Sequence, residues 1–351
     1  MTTKDAPKYQ FIFDELLFSL NRGLYKQGDR FVTEKEICDK YSTSRMTAVR
    51  VLKMFEDKNL VQRRQGSGSF VKADLSAPLT AGDTVAFVMQ TMKYLHPFIE
   101  ALNIKYDKAG INLKLIIGDY NNNDEFLHFA NPAYKRIIFN PSWEENDILS
   151  VYPEKLAQYS SKLIVISKRI EGFSGYNIYP SEVEMGRIIA RHFINKGRKN
   201  IGFFCSYKEQ YHFKLRQKGL AEEAKSNGIT FNSLFVCSGL EAVGEIKQWI
   251  VKNNIDSIAV GQHNEALLLK NVLDAIGFSV PGDIQLAAFA NDGSADNVGF
   301  PLPYLDRQYE QMAETVFRVT TTSSNEEHII KMDTPLKMNT SKEIFTRGDD
   351  I

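Results

Sequence analysis

From Thr84 onward, short apolar segments alternate with amphipathic segments, and this alternation constrains the fold more than any other feature of the sequence. Short apolar runs are typical of buried strands, whereas the segments between them carry apolar residues at helical spacing. Strands that alternate with helices form parallel sheets, because each helix returns the chain to the same end of the sheet. The sequence therefore predicts an α/β fold with doubly wound parallel sheets. The predicted strands are Val85–Met89, Leu113–Ile117, Arg136–Phe139, Leu163–Ile166, Asn200–Cys205, Leu234–Cys237, Ser257–Val260 and Ile284–Phe289.

These strands are numerous enough for two doubly wound lobes. In open α/β sheets, ligands bind beyond the carboxyl ends of the strands. We therefore predict that residues 84–351 form a two-lobed domain that binds a small molecule.

Residues 1–72 show a different pattern, in which three helical segments precede two short strands. The segments are Tyr9–Leu20, a helix that begins at Thr33, Ser44–Asp57, and the strands Leu60–Arg64 and Ser69–Val71. Thr33 and Glu36 have the spacing of a capping box. The residues expected on the inner face of the third helix are Met46, Val49, Leu52 and Phe55. This order predicts a winged helix-turn-helix, followed by a linker over residues 73–83, which are small, polar and contain Pro and Gly.

The net charge of the chain is zero, but the charge is unevenly distributed. Residues 1–72 hold 14 Lys and Arg against 9 Asp and Glu, which gives this part a net charge of +5 and the remainder −5. A basic head on an acidic body indicates that the head alone binds a polyanion.

The predicted third helix has the polar side chains that duplex DNA binding requires. The major groove admits one α-helix, and the first residues of such a helix reach base edges or phosphates. The glycines between the two strands allow the backbone to approach DNA closely. The predicted DNA contacts are Thr33, Lys35, Thr43, Ser44, Arg45, Thr47, Arg50, Lys53, Arg64, Gln65, Gly66, Ser67 and Gly68.

The first 72 residues resemble the GntR-family winged helix. The motifs that carry the resemblance, in the order of the family, are Pro7-Lys8-Tyr9, Gln27-Gly28-Asp29, Thr33-Glu34-Lys35-Glu36, Ser44-Arg45-Met46-Thr47 and Gln65-Gly66-Ser67-Gly68-Ser69-Phe70-Val71. The resemblance implies a homodimer that binds a pseudo-palindromic operator in double-stranded DNA. Val49 stands where the family often has Arg, and Arg50 follows it, so the resemblance does not give the base sequence of the operator.

Residues 84–351 resemble the LacI/GalR-type effector domain, which is related to periplasmic sugar-binding proteins. The motifs are His96-Pro97-Phe98, Gly186-Arg187, Gly197-Arg198-Lys199-Asn200-Ile201-Gly202-Phe203, Arg216-Gln217-Lys218-Gly219 and Val280-Pro281-Gly282-Asp283-Ile284. Together with the GntR-type head, this body is similar to the arabinose-repressor-type hybrids. The resemblance implies that a sugar or a sugar derivative binds between the lobes.

The same resemblance implies a set of ligand contacts. They are Tyr94, His96, Phe98, Trp143, Lys168, Arg216, Gln262, His263 and Asn291. The family's carboxylates are replaced at His263 and Ala290, while Lys168 and Arg216 are retained, and this combination favours a ligand with an acidic or phosphate group. Four of these residues have a structural alternative: a core position for Phe98, a helix-surface ion pair for Arg216, a helix start for His263, and loop packing for Trp143.

The sequence thus predicts a ligand-responsive transcriptional regulator, a repressor of a carbohydrate-utilisation operon that a sugar-type effector releases from DNA. The absence of a secretory signal and of a long apolar run predicts a cytoplasmic protein without a membrane span. The three cysteines and six histidines lack metal-site spacing, and we expect no cofactor. Two alternatives remain: a small-molecule-binding protein whose basic head binds a protein partner, and an enzyme. The sequence contains no Walker A, GxGxxG or GxSxG motif that would support an enzyme.

Overall fold

The structure is a computed structural model, and it describes most of the chain in ranges that short gaps separate. It describes residues 8–21, 25, 27–57, 60–64, 67–72, 78–89, 95–118, 129, 131, 133–141, 156–157, 159–205, 210–236, 240–261, 263–289, 298–322 and 328–339. Among these residues, no helix combines the length and the apolar character that a membrane span requires.

The head consists of three helices and a two-stranded antiparallel wing. These are α1 (Lys8–Asn21), α2 (Glu34–Tyr41), α3 (Arg45–Asp57), β1 (Val61–Arg64) and β2 (Gly68–Val71). Its core includes Phe55, whose ring centre lies 4.5 Å from that of Phe13 and 4.9 Å from that of Phe31. The winged helix-turn-helix predicted from the sequence is confirmed.

The capping box predicted at Thr33 and Glu36 is present at the start of α2. Thr33 Oγ1 accepts a hydrogen bond from the Glu36 amide at 3.2 Å, and the Glu36 carboxylate accepts one from the Thr33 amide at 2.6 Å. Two amide donors that a helix start leaves without partners are thereby satisfied. The box fixes the point where the chain enters α2.

The inner face of α3 differs from the prediction. The residues buried on this helix are Ala48, Val51, Leu52 and Phe55. Their three- and four-residue spacing defines one stripe, and Met46 lies about 200° around the helix from Ala48. Met46 is accordingly 84% exposed, and Val49 is half-buried. The prediction that Met46 faces the core is wrong, and its side chain projects outward beside Arg45.

The body contains two lobes, and the chain builds them in three successive groups of elements. The first group is β3 (Thr84–Met89), α4 (His96–Lys108), β4 (Asn112–Ile117), β5 (Arg136–Asn140), β6 (Leu163–Ile166) and β7 (Tyr176–Pro180). The second is α5 (Glu182–Asn195), β8 (Asn200–Cys205), α6 (Tyr211–Ser226), β9 (Thr230–Phe235), α7 (Leu240–Asn253), β10 (Ser257–Val260), α8 (His263–Ala275), β11 (Gln285–Ala288) and β12 (Pro303–Leu305). The last is α9 (Tyr309–Thr321), β13 (Ile329–Met332) and β14 (Leu336–Met338).

Each lobe is built on a six-stranded sheet. The first has the order β13-β7-β6-β5-β3-β4, with parallel neighbours throughout, and α4 and α9 cover one face. The second has the order β14-β12-β11-β10-β8-β9, with only the β14–β12 pair antiparallel. Helices α5 and α6 cover one face of this sheet, and α7 and α8 cover the other. The predicted α/β fold is confirmed.

The chain passes between the lobes three times, at β7–α5, at β12–α9 and at β13–β14. The second and third crossings contact each other, because the Asp306 amide donates to the Pro335 carbonyl at 3.0 Å. Lys337 and Asp306 also form an ion pair at 2.5 Å. The second and third crossings are therefore joined directly to each other.

Part of the predicted linker belongs to the first lobe. Leu79 is buried in the core of this lobe, and its amide donates to the Thr320 carbonyl at 2.9 Å. The Asp83 carboxylate accepts hydrogen bonds from Lys135 at 2.9 Å and from the Thr80 amide at 2.7 Å. The packed part of the body thus extends back to Leu79, while residues 73–77 lie outside the described residues.

Helices α5 and α6 cross through two glycines. A Cβ atom on Gly219 would lie 1.9 Å from the Val183 carbonyl oxygen, and one on Gly186 would lie 2.2 Å from the Arg216 carbonyl oxygen. Only glycine permits such a close approach of two backbones. The crossing brings Arg216 of α6 next to Glu182, the first residue of α5.

Candidate nucleic-acid interface and effector cleft

The start of α2, the start of α3 and strand β1 meet at the carboxylate of Glu34. Its Oε2 accepts a hydrogen bond from Arg45 Nε at 3.0 Å, and its Oε1 accepts one from Arg63 Nη2 at 2.7 Å. The hydrogen bond from Arg45 is the largest influence on the Glu34 pKa and, with Arg63, lowers it against the opposing effect of partial burial. Glu34 is therefore ionised at neutral pH and joins three elements of the head.

Several predicted DNA contacts surround this carboxylate. Thr33 and Lys35 on α2 and Arg64 and Gly68 on the wing line one shallow groove with Glu34 and Arg63. Glu34 and Arg63 are not among the DNA contacts predicted from the sequence. Arg63 could have been found from its positive charge and its place next to Arg64 on a short strand. Glu34 could not, because a carboxylate is not expected on a surface that faces phosphates.

The first turn of α3 is held by its own polar side chains. Ser44 Oγ accepts a hydrogen bond from the Thr47 amide at 3.2 Å and lies 3.0 Å from Thr47 Oγ1. The Thr43 amide donates to the Cys38 carbonyl in the preceding turn. With the turn fixed in this way, the Arg45 side chain is 84% exposed. This is the geometry that a recognition helix needs, since its N-terminal residues enter the groove.

Two further predicted contacts lie along the same helix. The Arg50 guanidinium lies 3.6 Å from the centre of the Tyr9 ring, a cation–π contact that holds it against α1. Lys53 is exposed one turn further on. Helix α3 thus presents Arg45 at its start, while Arg50 is engaged with the first helix of the head.

The wing adds a second basic element. The Arg64 guanidinium lies 4.7 Å from the centre of the Phe70 ring, and the Ser67 amide donates to the Arg64 carbonyl at 3.0 Å. Gly68 has φ = +103°, a conformation that strongly favours glycine. Gln65 and Gly66 lie outside the described residues. The strand arginines and the helix start together form a cationic surface suited to duplex DNA.

In the body, the two lobes meet near the carboxyl ends of their strands. Lys168 follows β6 in the first lobe, and its Nζ lies 5.3 Å from the ring centre of Tyr211, which begins α6 in the second. Ligands of parallel sheets bind at this edge. The candidate effector cleft is therefore this edge of the two sheets, and Lys168 lies where the lobes touch.

Arg216 is buried beneath the cleft edge of the second lobe. Its side chain is 1% exposed, its Nε donates to Glu182 Oε2 at 2.7 Å, and its Nη1 donates to the Gly261 carbonyl at 2.8 Å. Gly261 directly precedes Gln262 and His263, two other predicted ligand residues. The ion pair of Arg216 is a buried one, unlike the helix-surface pair considered as the alternative.

Glu182 also binds a second arginine, at the crossing between β12 and α9. Arg307 Nη2 donates to Glu182 Oε1 at 2.5 Å, so one buried carboxylate serves two guanidinium groups. Burial raises the pKa of Glu182, but Arg216 and Arg307 outweigh it and lower the pKa to about 2. Burial, followed by the charge of Arg216, lowers the pKa of His212 to about 3. At neutral pH the cluster contains ionised Glu182 and uncharged His212.

The other predicted ligand residues divide into three groups. His96 is exposed at the start of α4, with its Nδ1 4.0 Å from a Glu100 carboxylate oxygen. Phe98 is fully buried, with its ring edge-on to Phe87 at 5.5 Å, so the structure places it in the core, the alternative considered for it. Four of them lie outside the described residues: Tyr94, Trp143, Gln262 and Asn291. For His263, the structure describes only the backbone, at the start of α8.

Comparison with protein families identifies both parts of the chain. The family model described as bacterial regulatory proteins, gntR family, matches residues 8–71, which include the head from α1 to β2. The model described as a periplasmic binding protein-like domain matches residues 190–335. The chain joins a GntR-type helix-turn-helix domain to a periplasmic-binding-protein-like domain.

Several known transcriptional regulators are similar to this chain. The arabinose metabolism transcriptional repressor of Geobacillus stearothermophilus is 23% identical over 312 residues, which cover 82% of this chain and 83% of that protein. The probable fructoselysine utilization operon transcriptional repressor of Escherichia coli is 23% identical over 231 residues, 60% of this chain and 80% of that one. The solved transcriptional regulator CelR–cellobiose complex has a TM-score of 0.60 at 15% identity, over 86% of this chain and 92% of that one. This last similarity shows the fold.

Within this framework, the two candidate sites belong to different domains. The cationic surface around Glu34 lies within the residues that the gntR model matches, whereas Arg216, Gly261 and Arg307 lie within those that the periplasmic binding protein-like model matches. The buried cluster of Glu182, Arg216 and Arg307 extends from the cleft edge at Gly261 to the crossing between the lobes. The backbone at Gly261 is therefore connected to Arg307, at the crossing between β12 and α9, by direct hydrogen bonds.

Proposed function

We propose that this protein is a ligand-responsive transcriptional repressor of a carbohydrate-utilisation operon, released from its operator by a sugar or a sugar derivative. The observation that carries the proposal is the exposed start of α3, where Arg45 projects above a groove lined by wing arginines. The relatives named as repressors of arabinose metabolism and fructoselysine utilization support the carbohydrate assignment. Such a protein acts in the cytoplasm and leaves its effector chemically unchanged.

The operator-bound form is a homodimer on a pseudo-palindrome. Two recognition helices related by a two-fold axis read half-sites about one helical turn apart. The body carries exposed apolar side chains that favour contact with a second copy, among them Leu267 and Leu268 on α8, which are 42% and 51% exposed. The dimer couples the spacing of its heads to the arrangement of its lobes.

The effector binds in the cleft between the lobes. The CelR–cellobiose complex, which shares the fold, supports a sugar-type ligand, and Lys168 supports an acidic or phosphate group on it. Binding of effector and of DNA must then be reciprocally coupled, since each changes the affinity for the other by the same factor.

We expect Arg45→Ala to weaken binding to the operator by about 5- to 150-fold per half-site, because one bidentate arginine–guanine contact discriminates by ~1–3 kcal/mol. The duplex for the measurement is the one that wild-type protein enriches from sheared genomic DNA of the source organism. Binding is measured by fluorescence anisotropy at fixed salt.

Lys218→Ala is the matched control, because it removes one exposed cation from the body. Its operator affinity should equal that of wild type. Equal affinity of Arg45→Ala and wild type would contradict the role of α3. If no duplex is enriched by wild type, the alternative of a head that binds a protein partner replaces the repressor.

A further inference from the structure

Glu34 is the one feature of the cationic surface, within the described part of the head, whose charge opposes DNA binding there. Its side chain is 24% exposed and lies between Arg45, which is 84% exposed, and Arg63, which is 36% exposed. A carboxylate at this place repels the phosphates of any duplex. A benefit other than affinity for DNA would account for a carboxylate at this position.

The hydrogen bonds that Glu34 accepts from Arg45 and Arg63 indicate a role in orienting side chains. Glu34 accepts from Arg45 through Nε alone. Within the described residues, the two terminal amino groups of Arg45 donate to no other side chain or carbonyl. Arginine reads guanine by donating two hydrogen bonds to O6 and N7. The hydrogen bond to Glu34 fixes the guanidinium plane and leaves its outer edge available for this contact.

The second hydrogen bond fixes Glu34 itself. Arg63 Nη2 reaches Glu34 from the wing strand β1, while Glu34 belongs to the first turn of α2, whose start is secured by the capping box at Thr33. The carboxylate is thus anchored on two elements and orients a side chain on a third. A charged pair this exposed contributes little to stability, so its main effect is on the orientation of Arg45.

We propose that Glu34 is a specificity-determining positioning residue, which orients Arg45 for guanine and lowers the affinity of the head for DNA that lacks the operator. This inference depends on the proposed function. On an operator, the pre-oriented arginine binds its base without further loss of conformational freedom. On other DNA, Arg45 and Arg63 must leave Glu34 to reach phosphates, and the unpaired carboxylate then repels the backbone.

The test compares wild type with Glu34→Gln on two duplexes, the one enriched by wild type from genomic DNA and a random-sequence 30-bp duplex. We expect the variant to bind the random duplex more tightly and the operator less tightly. The ratio of the two affinities should fall by about 5- to 150-fold per half-site, the discrimination that one arginine–guanine pair provides. For the random duplex, the slope of log K against log salt should steepen by up to about 0.9 per head.

A second readout separates positioning from net charge. Each operator guanine is replaced in turn by 7-deazaguanine, which lacks the N7 acceptor. Wild type should lose affinity at one guanine in each half-site, and Glu34→Gln should lose this sensitivity at the same position. The charge-matched control is Glu56→Gln, at an exposed site near the end of α3. It should raise affinity for both duplexes alike and keep the 7-deazaguanine pattern.

The outcomes distinguish the inference from the proposed function. If wild type enriches an operator and Glu34→Gln keeps both the affinity ratio and the 7-deazaguanine pattern, the inference is wrong and the repressor assignment stands. Equal behaviour of Glu34→Gln and Glu56→Gln would reduce Glu34 to a contribution to net charge. Enrichment of no duplex by wild type would overturn both. Glu34→Asp, which keeps the charge on a shorter side chain, should restore the salt slope without restoring the ratio.

Discussion

The Glu182→Gln variant should be less stable than wild type by about 3–5 kcal/mol in the free energy of unfolding of the periplasmic-binding-protein-like domain. Glutamine keeps the volume of the side chain but removes the charge that neutralises Arg216 and Arg307. Arg216 is 1% exposed, and a buried guanidinium without a counter-charge is strongly unfavourable. The measurement is a urea titration followed by tryptophan fluorescence, since Trp249 is buried in the second lobe.

Glu184→Gln, two residues further along α5, provides the matched control. Glu184 binds Arg187 and Arg191 at the surface, where exposed pairs contribute about 0.2–1 kcal/mol. We expect a small loss of stability for this variant. A similar loss for Glu182→Gln would mean that the buried cluster does not stabilise the domain.

The difference between wild type and Glu182→Gln should also depend on pH. The pKa of Glu182 is lowered from 4.5 to about 2 in the folded protein, because Arg216 and Arg307 outweigh the effect of burial. A carboxylate with a depressed pKa contributes stability that is fully present above its unfolded pKa. The difference should therefore be constant above pH 4.5 and shrink as the pH falls through about 2. A difference that stays constant over this range would show that the charge of Glu182 is not its source.

Gly219→Ala should destabilise the second lobe by about 3 kcal/mol or more, at or beyond the upper end of the usual range for overpacking. The added methyl group would lie 1.9 Å from the Val183 carbonyl oxygen, and that oxygen belongs to the backbone of α5 and cannot rotate away. The two helices must separate, which also pulls Arg216 away from Glu182. The loss is measured in the same urea titration.

Gly244→Ala tests whether the effect comes from the crossing or from glycine as such. Gly244 lies within α7, and nothing is found within 4 Å of the Cβ that alanine would add. Alanine there should stabilise the domain by about 0.4–1 kcal/mol, because it restricts the unfolded chain and favours the helix. Two glycine-to-alanine changes in one lobe should thus have opposite signs. Destabilisation by both would remove the helix crossing as the explanation.

The head could be predicted well because its signals are local. Thr33 and Glu36 are three residues apart, and the capping box that they form is visible in the sequence. The inner face of α3 was predicted less well, since Met46 fits a helical stripe with Val49 as readily as Ala48 fits one with Val51. The stripe that contains Ala48 and Val51 is the buried one, because that is the face of α3 against which α1 packs.

The body was predicted in outline, but strands β7, β12, β13 and β14 were not predicted, and for β12 and β14 the physical reason is their short length and distant pairing. Strands β12 and β14 are three residues long, and their partners Pro303 and Met338 lie far apart in the sequence. Strand β9 was expected at Leu234–Cys237 but spans Thr230–Phe235, because an edge strand tolerates polar residues and its apolar run is not its centre. Long-range pairing defines these strands, and no local pattern carries that information.

Arg216 shows the same limit at the candidate site. Its motif predicted a residue of the ligand region, and it does lie under Gly261. Its partner Glu182, however, is 34 residues away and meets it only because two glycines allow the helices to touch. The partner of a buried arginine therefore cannot be predicted from the motif of the arginine alone, and the contact of Arg216 with a ligand stays a prediction.

Strands β13 and β14 are separated by three residues, yet they complete the sheets of different lobes. Because synthesis proceeds from the N-terminus and domains fold as units during it, neither sheet can be finished until Ile329 and the residues after it have been added. The GntR-type head, whose last strand ends at Val71, has all of its elements long before that. A nascent chain therefore carries all the elements of its GntR-type head while the sheets of both lobes are still unfinished.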